Sequence, residues 1–147
     1  MSYDLENTWL EAWDRVYDII VAITGLGVTR VVKGFCANPP VPGEGGVLVM
    51  VGPGTNEPIS QDTHGDYHKM TFLVYIFTDE QDIVKATEDV IHWSGKIRKA
   101  LVADRTLGGL VNDTTPTRAI TNPPVVPGYE RQMISLAVEC KTWIDDP

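Results

Sequence analysis

The sequence predicts an α+β fold: a mainly antiparallel sheet of about five strands with two long helices packed on one face. Three observations carry that expectation. Segments 5–24 and 80–103 repeat apolar residues in steps of three and four, the period of a helix. Several shorter segments alternate apolar with polar residues or are apolar throughout, which reads as strand. The order is helix, hairpin, strand, helix, strands, without βαβ alternation. The 147 residues suit a single domain, 1–147, with one core.

In the first helix Leu5, Trp9, Trp13, Val16, Ile20 and Ile23 share a face. Asp4 is the expected N-cap, Glu6 adds negative charge to the first turn, and Gly25 and Gly27 end the helix. Trp9 and Trp13 read as core or interface anchors rather than a cofactor box. Residues 28–36 read as a strand. A Pro/Gly loop at 38–46, containing Pro39, Pro40 and Pro42, closes toward a partner strand at 47–51. Residues 52–66, with Pro53 and Pro58, read as a second loop.

Residues 67–78 form the strongest strand, with Met70, Phe72, Val74 and Ile76 on one face and Leu73, Tyr75 and Phe77 on the other. Apolar residues on both faces mark a central strand. In the second helix Ile83, Ala86, Val90, Ile97 and Leu101 form the stripe, with Trp93 beside it, Asp79 as the expected cap and Gly95 as a weak point. Short strands are expected at 110–112 and 116–121 around Asp113. A third Pro-rich loop, 122–128, contains Pro123 and Pro124. The final strand, 129–144, alternates Ile134, Leu136, Val138 and Cys140 with Ser135, Ala137, Glu139 and Lys141. That is the pattern of a strand with one wet face.

Composition excludes several functions. The net charge is −8, from 20 acidic and 12 basic residues, so the basic footprint of a nucleic-acid binder is missing. Lys96, Arg98 and Lys99 read as a solvated helix face. No apolar run approaches the ~20 residues of a membrane span. No basic segment followed by an apolar one opens the chain, so no signal peptide is expected and the protein is expected in a cytosol. Cys36 and Cys140 lie in apolar strand-like runs and read as two buried thiols.

No motif points to catalysis. Gly52-Pro53-Gly54 follows an apolar strand, but Gly-Lys-Ser/Thr is missing and Pro58 would interrupt a helix, so it is not a phosphate loop. His64, Asp66 and His68 would share one side of an extended segment and could hold a divalent metal; the alternative is a polar loop entering a strand. His92 reads as a packed or surface histidine. No Gly-x-Ser-x-Gly elbow or His-Glu-x-x-His occurs. No catalytic, cofactor or metal residue is therefore assigned. The stiffened loops at 38–46, 52–66 and 122–128 are candidate binding elements.

The run from Ile97 through Asp104-Arg105-Thr106-Leu107-Gly108-Gly109 to Val111 resembles the segment after the second helix in tail terminator (tail completion) proteins of long-tailed bacteriophages, the lambda-type minor tail protein U group. The strand ending Val74-Tyr75-Ile76-Phe77, the long first helix and the final strand from Met133 to Trp143 match in layout. The resemblance implies a virion protein without catalytic residues, made in the host bacterial cytoplasm and placed at the tail–neck junction. It implies a homo-hexameric ring that caps the tail tube, stops addition of tube subunits and meets the head–tail connector or stopper protein. DNA would pass through the lumen without specific binding, and no membrane is involved. A negative lumen suits sliding DNA. Ring contacts are head-to-tail, and the candidate contact residues are Trp9, Trp13, Pro39, Pro40, Pro42, Pro53, Pro123 and Pro124. Rivals are another neck component, a small metal-dependent enzyme using His64, Asp66 and His68, and a ligand-binding module.

Overall fold

The computed structural model describes residues 5–35, 47–78, 82–121 and 133–145. Two helices and five strands follow in the order α1 (Leu5–Val21), β1 (Val31–Lys33), β2 (Val47–Gln61), β3 (Gly65–Thr78), α2 (Ile83–Ala103), β4 (Asp113–Thr121) and β5 (Met133–Asp145). The strands form one sheet in the order β1-β2-β3-β5-β4. Every pairing is antiparallel except β1 with β2. This is the α+β architecture that the two periodicities predict.

Both helices lie on one sheet face. α1 buries Ala12, Val16 and Ile20, and α2 buries Ala86, Val90, Ile97 and Leu101. The sheet meets them with Val49 and Val51, with Met70, Phe72, Val74 and Ile76, and with Leu136, Val138 and Cys140. All alternate along their strands, as a face packed against helices requires. The opposite face carries a smaller cluster of Leu48, Met50, Tyr75 and Phe77, with Val32 and Leu73 against it. β3 is central, between β2 and β5, and its second half is buried on both faces. The double apolar pattern of 72–77 has that cause.

Four expectations are corrected. First, residues 52–66 are not a loop. β2 continues to Gln61, turns at 62–64, and pairs back as β3 from Gly65. The prolines are tolerated because β1 pairs only with Val49–Val51, so β2 is beyond that point an outermost strand among the described residues. Register shifts between Pro53 and Asn56 and between Pro58 and Ser60 absorb the irregularity. The glycines answer to packing: a Cβ on Gly52 would lie 2.5 Å from the Phe35 ring, and one on Gly54 would lie 2.9 Å from the Thr71 carbonyl oxygen.

Second, β1 spans three residues and runs parallel to β2 rather than forming a hairpin with it. Third, α2 is capped by Asp82, whose carboxylate accepts from the backbone N–H groups of Val84 and Lys85. The expected cap Asp79 lies outside the described residues, as do Asp4, Cys36 and the loops 38–46 and 122–128. Fourth, residues 113–121 form one strand, β4, with a register shift between Pro116 and Arg118 in place of a break. Residues 110–112 are a turn. No helix among the described residues is long and apolar enough to cross a membrane.

The exit from α2 explains the composition of 104–111. The Asp104 carboxylate accepts from Gly108 N–H, and the Thr106 hydroxyl accepts from Gly109 N–H. Leu107, Gly108 and Gly109 all have positive φ, at 50°, 70° and 91°, a left-handed path that glycine follows at least cost. The turn delivers Leu107 into the core. Arg15 of α1 donates to the Leu107 carbonyl at 2.8 Å, tying the turn to the other helix. Arg105 closes it from outside through Asp113, at 2.9 and 3.2 Å. That hydrogen-bonded cation is the first cause holding the Asp113 carboxyl below its ordinary range.

Candidate interaction surface

Of the eight candidate contact residues, the structure brings three together. Trp9, Trp13 and Pro53, with Leu10, line a shallow apolar groove of about 130 Å³. Helical spacing places Trp9 and Trp13 one turn apart, and the continuation of β2 past Val51 brings Pro53 beside them. Trp13 is fixed: its indole N–H donates to the Val51 carbonyl at 3.0 Å. The Lys33 ammonium stands 5.0 Å from the Trp13 ring centroid and 5.8 Å from that of Tyr17. Lys33 also pairs with Asp14.

Trp9 differs. Its indole nitrogen is buried yet has no hydrogen-bond partner among the described residues. Leu10, half exposed at 50 %, completes the groove from the outward side of α1, and the sequence reading missed it. The available signal was an apolar residue off the core stripe, between the two tryptophans. Pro39, Pro40, Pro42, Pro123 and Pro124 lie outside the described residues.

The polar cluster at the hairpin end resolves differently. His64 sits in the turn, where its backbone N–H donates to the Asp62 carboxylate. Asp66 and His68 follow on one face of β3. His68 is buried at 3 % exposure, with Nδ1 3.0 Å from the Asn56 side-chain oxygen and Nε2 3.5 Å from the Asp66 carboxylate. It caps one end of the apolar layer as a hydrogen-bonded histidine. Among the described residues no three His, Cys, Asp or Glu side chains are placed to hold a metal ion.

Cys140 is a free thiol at the centre of the helix-covered face. Burial pushes its pKa up to about 11, against the smaller opposing effect of its contact with the Thr114 hydroxyl at 3.6 Å. A thiol held protonated is a poor nucleophile. On the other face Lys69 bridges Glu57 at 3.1 Å and Glu139 at 3.7 Å. The hydrogen bond and charge of Glu57 raise its pKa first, and Glu139 adds to them. This part of the sheet is a charged, solvated surface.

No protein-family model matches the chain, and no curated protein matches it. Among solved structures, a chain of the virion of a native gene transfer agent particle is similar. The TM-score is 0.58 at 18 % identity, over 90 % of this chain and 93 % of that one. The two chains share a fold across nearly their whole lengths. The fold is therefore one that a virion protein uses, and the groove, the turn at 104–111 and the long β2–β3 hairpin are features placed on it.

Proposed function

We propose that the chain is a structural subunit of a virion and that it acts as a tail terminator. It forms a ring on the end of the tail tube, occludes the site for the next tube subunit and presents its other face to the connector. The observation that carries this reading is the likeness to a virion chain over nearly the full length of both. The resemblance of residues 97–111 to the tail terminator group narrows virion protein to terminator. The groove supplies an apolar contact of the size that docks one or two side chains. The net charge of −8 per chain suits a ring through which a polyanion slides without adhering.

The mechanism is geometric and requires no reacting group. The test is the mass of the native particle, alone and mixed with assembled tail tubes, together with negative-stain images. The expected result is a ring with an open centre, or a ring seated on tube ends. A ring that binds connector and ignores tubes would move the protein to another position in the neck. A monomer that ignores both would end the virion reading. Deletion of residues 39–44 is expected to weaken tail or head joining while the subunit still folds; normal particle assembly by that variant would remove the loop from the mechanism.

A further inference from the structure

A second apolar surface lies on α2. Val84, Ile91 and Val102 are 67 %, 52 % and 45 % exposed. Their spacing, with Gly95 between the last two, puts all four on one line along the helix, away from the buried stripe Ala86, Val90, Ile97 and Leu101. Gly95 has open space where its Cβ would be. A glycine inside a long helix costs about 1 kcal/mol relative to alanine, and nothing within the described residues requires one there. Its absent side chain leaves a flat strip on which another surface can approach the backbone closely.

The position of this strip decides what can cover it. On one flank of α2, Trp93 packs against Gly25 at the end of the α1 region. On the other, Arg98 donates to the Pro116 carbonyl of β4 at 3.0 Å. Ile91 and Val102, seven and four residues from Arg98, lie on that β4 side. The groove lies against β2, where Trp13 is bonded to Val51 and Pro53 forms a wall. The sheet order β1-β2-β3-β5-β4 therefore sets the two apolar surfaces on opposite flanks of the helical layer. They cannot meet within one chain.

One pair of opposite charges stands at the two surfaces. Beside the groove Asp14 is paired with Lys33 and Glu11 with Arg15 within the chain, which leaves Glu6, one turn before Leu10, as the acid at the groove's open end. Residues 90–103 carry Lys96, Arg98 and Lys99 and no acid, and Lys99 lies between Gly95 and Val102 on the strip's edge. Glu88 is the one acid beside the strip's first half. Strand addition is a poor alternative mode of self-association, because Pro53, Pro58 and Pro116 interrupt β2 and β4.

We propose that the Ile91–Gly95–Val102 strip of one copy docks on the Trp9–Leu10–Trp13–Pro53 groove of a second copy, with Lys99 of the first facing Glu6 of the second. The contact is heterologous: each chain offers a strip to one neighbour and a groove to the other, so repetition closes a ring or extends a filament. The inference rests on the ring reading above and names the surfaces that make the ring.

The test uses two variants of the whole chain, Leu10→Asp and Ile91→Asp. Both positions are half exposed, so each variant is expected to keep the thermal midpoint of the parent. Each alone is expected to remain monomeric under conditions where the parent forms rings. Mixed in equal amounts at high concentration, they are expected to give a particle of two chains and nothing larger. The intact groove of the Ile91→Asp chain takes the intact strip of the Leu10→Asp chain, and both remaining surfaces are spoiled. Rings from either variant alone, or a mixture that stays monomeric, would overturn the pairing while the parent's rings leave the ring reading in place. So would a dimer of Ile91→Asp alone, since that is groove-to-groove contact. A parent chain that forms no ring, free or on tube ends, would overturn both.

Discussion

Two tryptophans on one helical stripe have different energetic roles. The Trp13 indole N–H reaches the Val51 carbonyl, which also accepts from Gly34 N–H at 2.6 Å. Trp13→Phe removes one bond but leaves that carbonyl partnered, so the loss is about 1 kcal/mol plus the missing packing. The Trp9 N–H is buried without a partner among the described residues, a condition that costs ~1–3 kcal/mol. Trp9→Phe removes the unmet donor and offsets much of the lost ring contact. Urea midpoints are expected to fall further for Trp13→Phe than for Trp9→Phe, and the reverse order would mean that Trp9 has an acceptor. Cys140 gives a pH signature. With its folded pKa raised from 9.0 to about 11, the folded state holds the proton where the unfolded state releases it. The contribution is complete below pH 9 and is lost as pH rises toward 11, up to roughly 3 kcal/mol in all. Tyr75, its pKa also raised by burial, adds in the same direction. Cys140→Ser is expected to flatten the alkaline decline in stability without abolishing it, and an unchanged slope would assign the whole decline to other groups.

At the scale of elements, glycine has opposite meanings at two places, and alanine substitution separates them. Gly95 is helical, exposed and has nothing within 4 Å of a Cβ, so Gly95→Ala is expected to raise stability by about 1 kcal/mol. At Gly108 φ is +70° and a Cβ would stand 2.6 Å from the Arg15 guanidinium that holds the turn. Gly108→Ala is expected to lower stability by about 1–2 kcal/mol. Thermal midpoints of the pair check both signs. The same contrast shows what was legible in the sequence. Periodicity fixes an element when its apolar residues repeat, so α1, α2, β3 and β5 are found within a few residues. It fails for the hairpin half of β2, where Gly52, Pro53, Gly54 and Pro58 read as loop. Gly52 and Gly54 answer to ring and backbone contacts, and the prolines to a position outside the reach of β1. The groove was half legible for a related reason: Trp9, Trp13 and Pro53 stand out by type, while Leu10 matters only because α1 turns it toward Pro53. The parallel pairing of β1 has no local signal at all, because it depends on where β2 enters the sheet, at Val47, rather than on residues near β1.

For the whole molecule, the sheet has a protected centre and an unprotected end. β3 has β2 on one side and β5 on the other along its length, but its surroundings change midway. From Met70 to Phe77 it lies beneath both helices, and Leu48, Met50, Tyr75 and Phe77 bury much of its other face. From Gly65 to Lys69 the outer face is charged, β4 has already ended opposite Lys141, and the partner strand carries the shift between Pro58 and Ser60. Local opening requires breaking few apolar contacts there and most of the core in the other half. Amide exchange is therefore expected to be slowest at Phe72, Val74 and Ile76, at rates set by global unfolding. It is expected to be faster by orders of magnitude at Gln61, Asp66 and Tyr67, where the hairpin opens alone. Occupation of the groove by a second copy buries Pro53, next to the first register shift, and should slow exchange from Gly52 to Asn56 in the ring relative to the free chain. Uniform protection along β3 in the free chain would mean that the hairpin end unfolds only with the core, and that its bulges are as rigid as the sheet they extend.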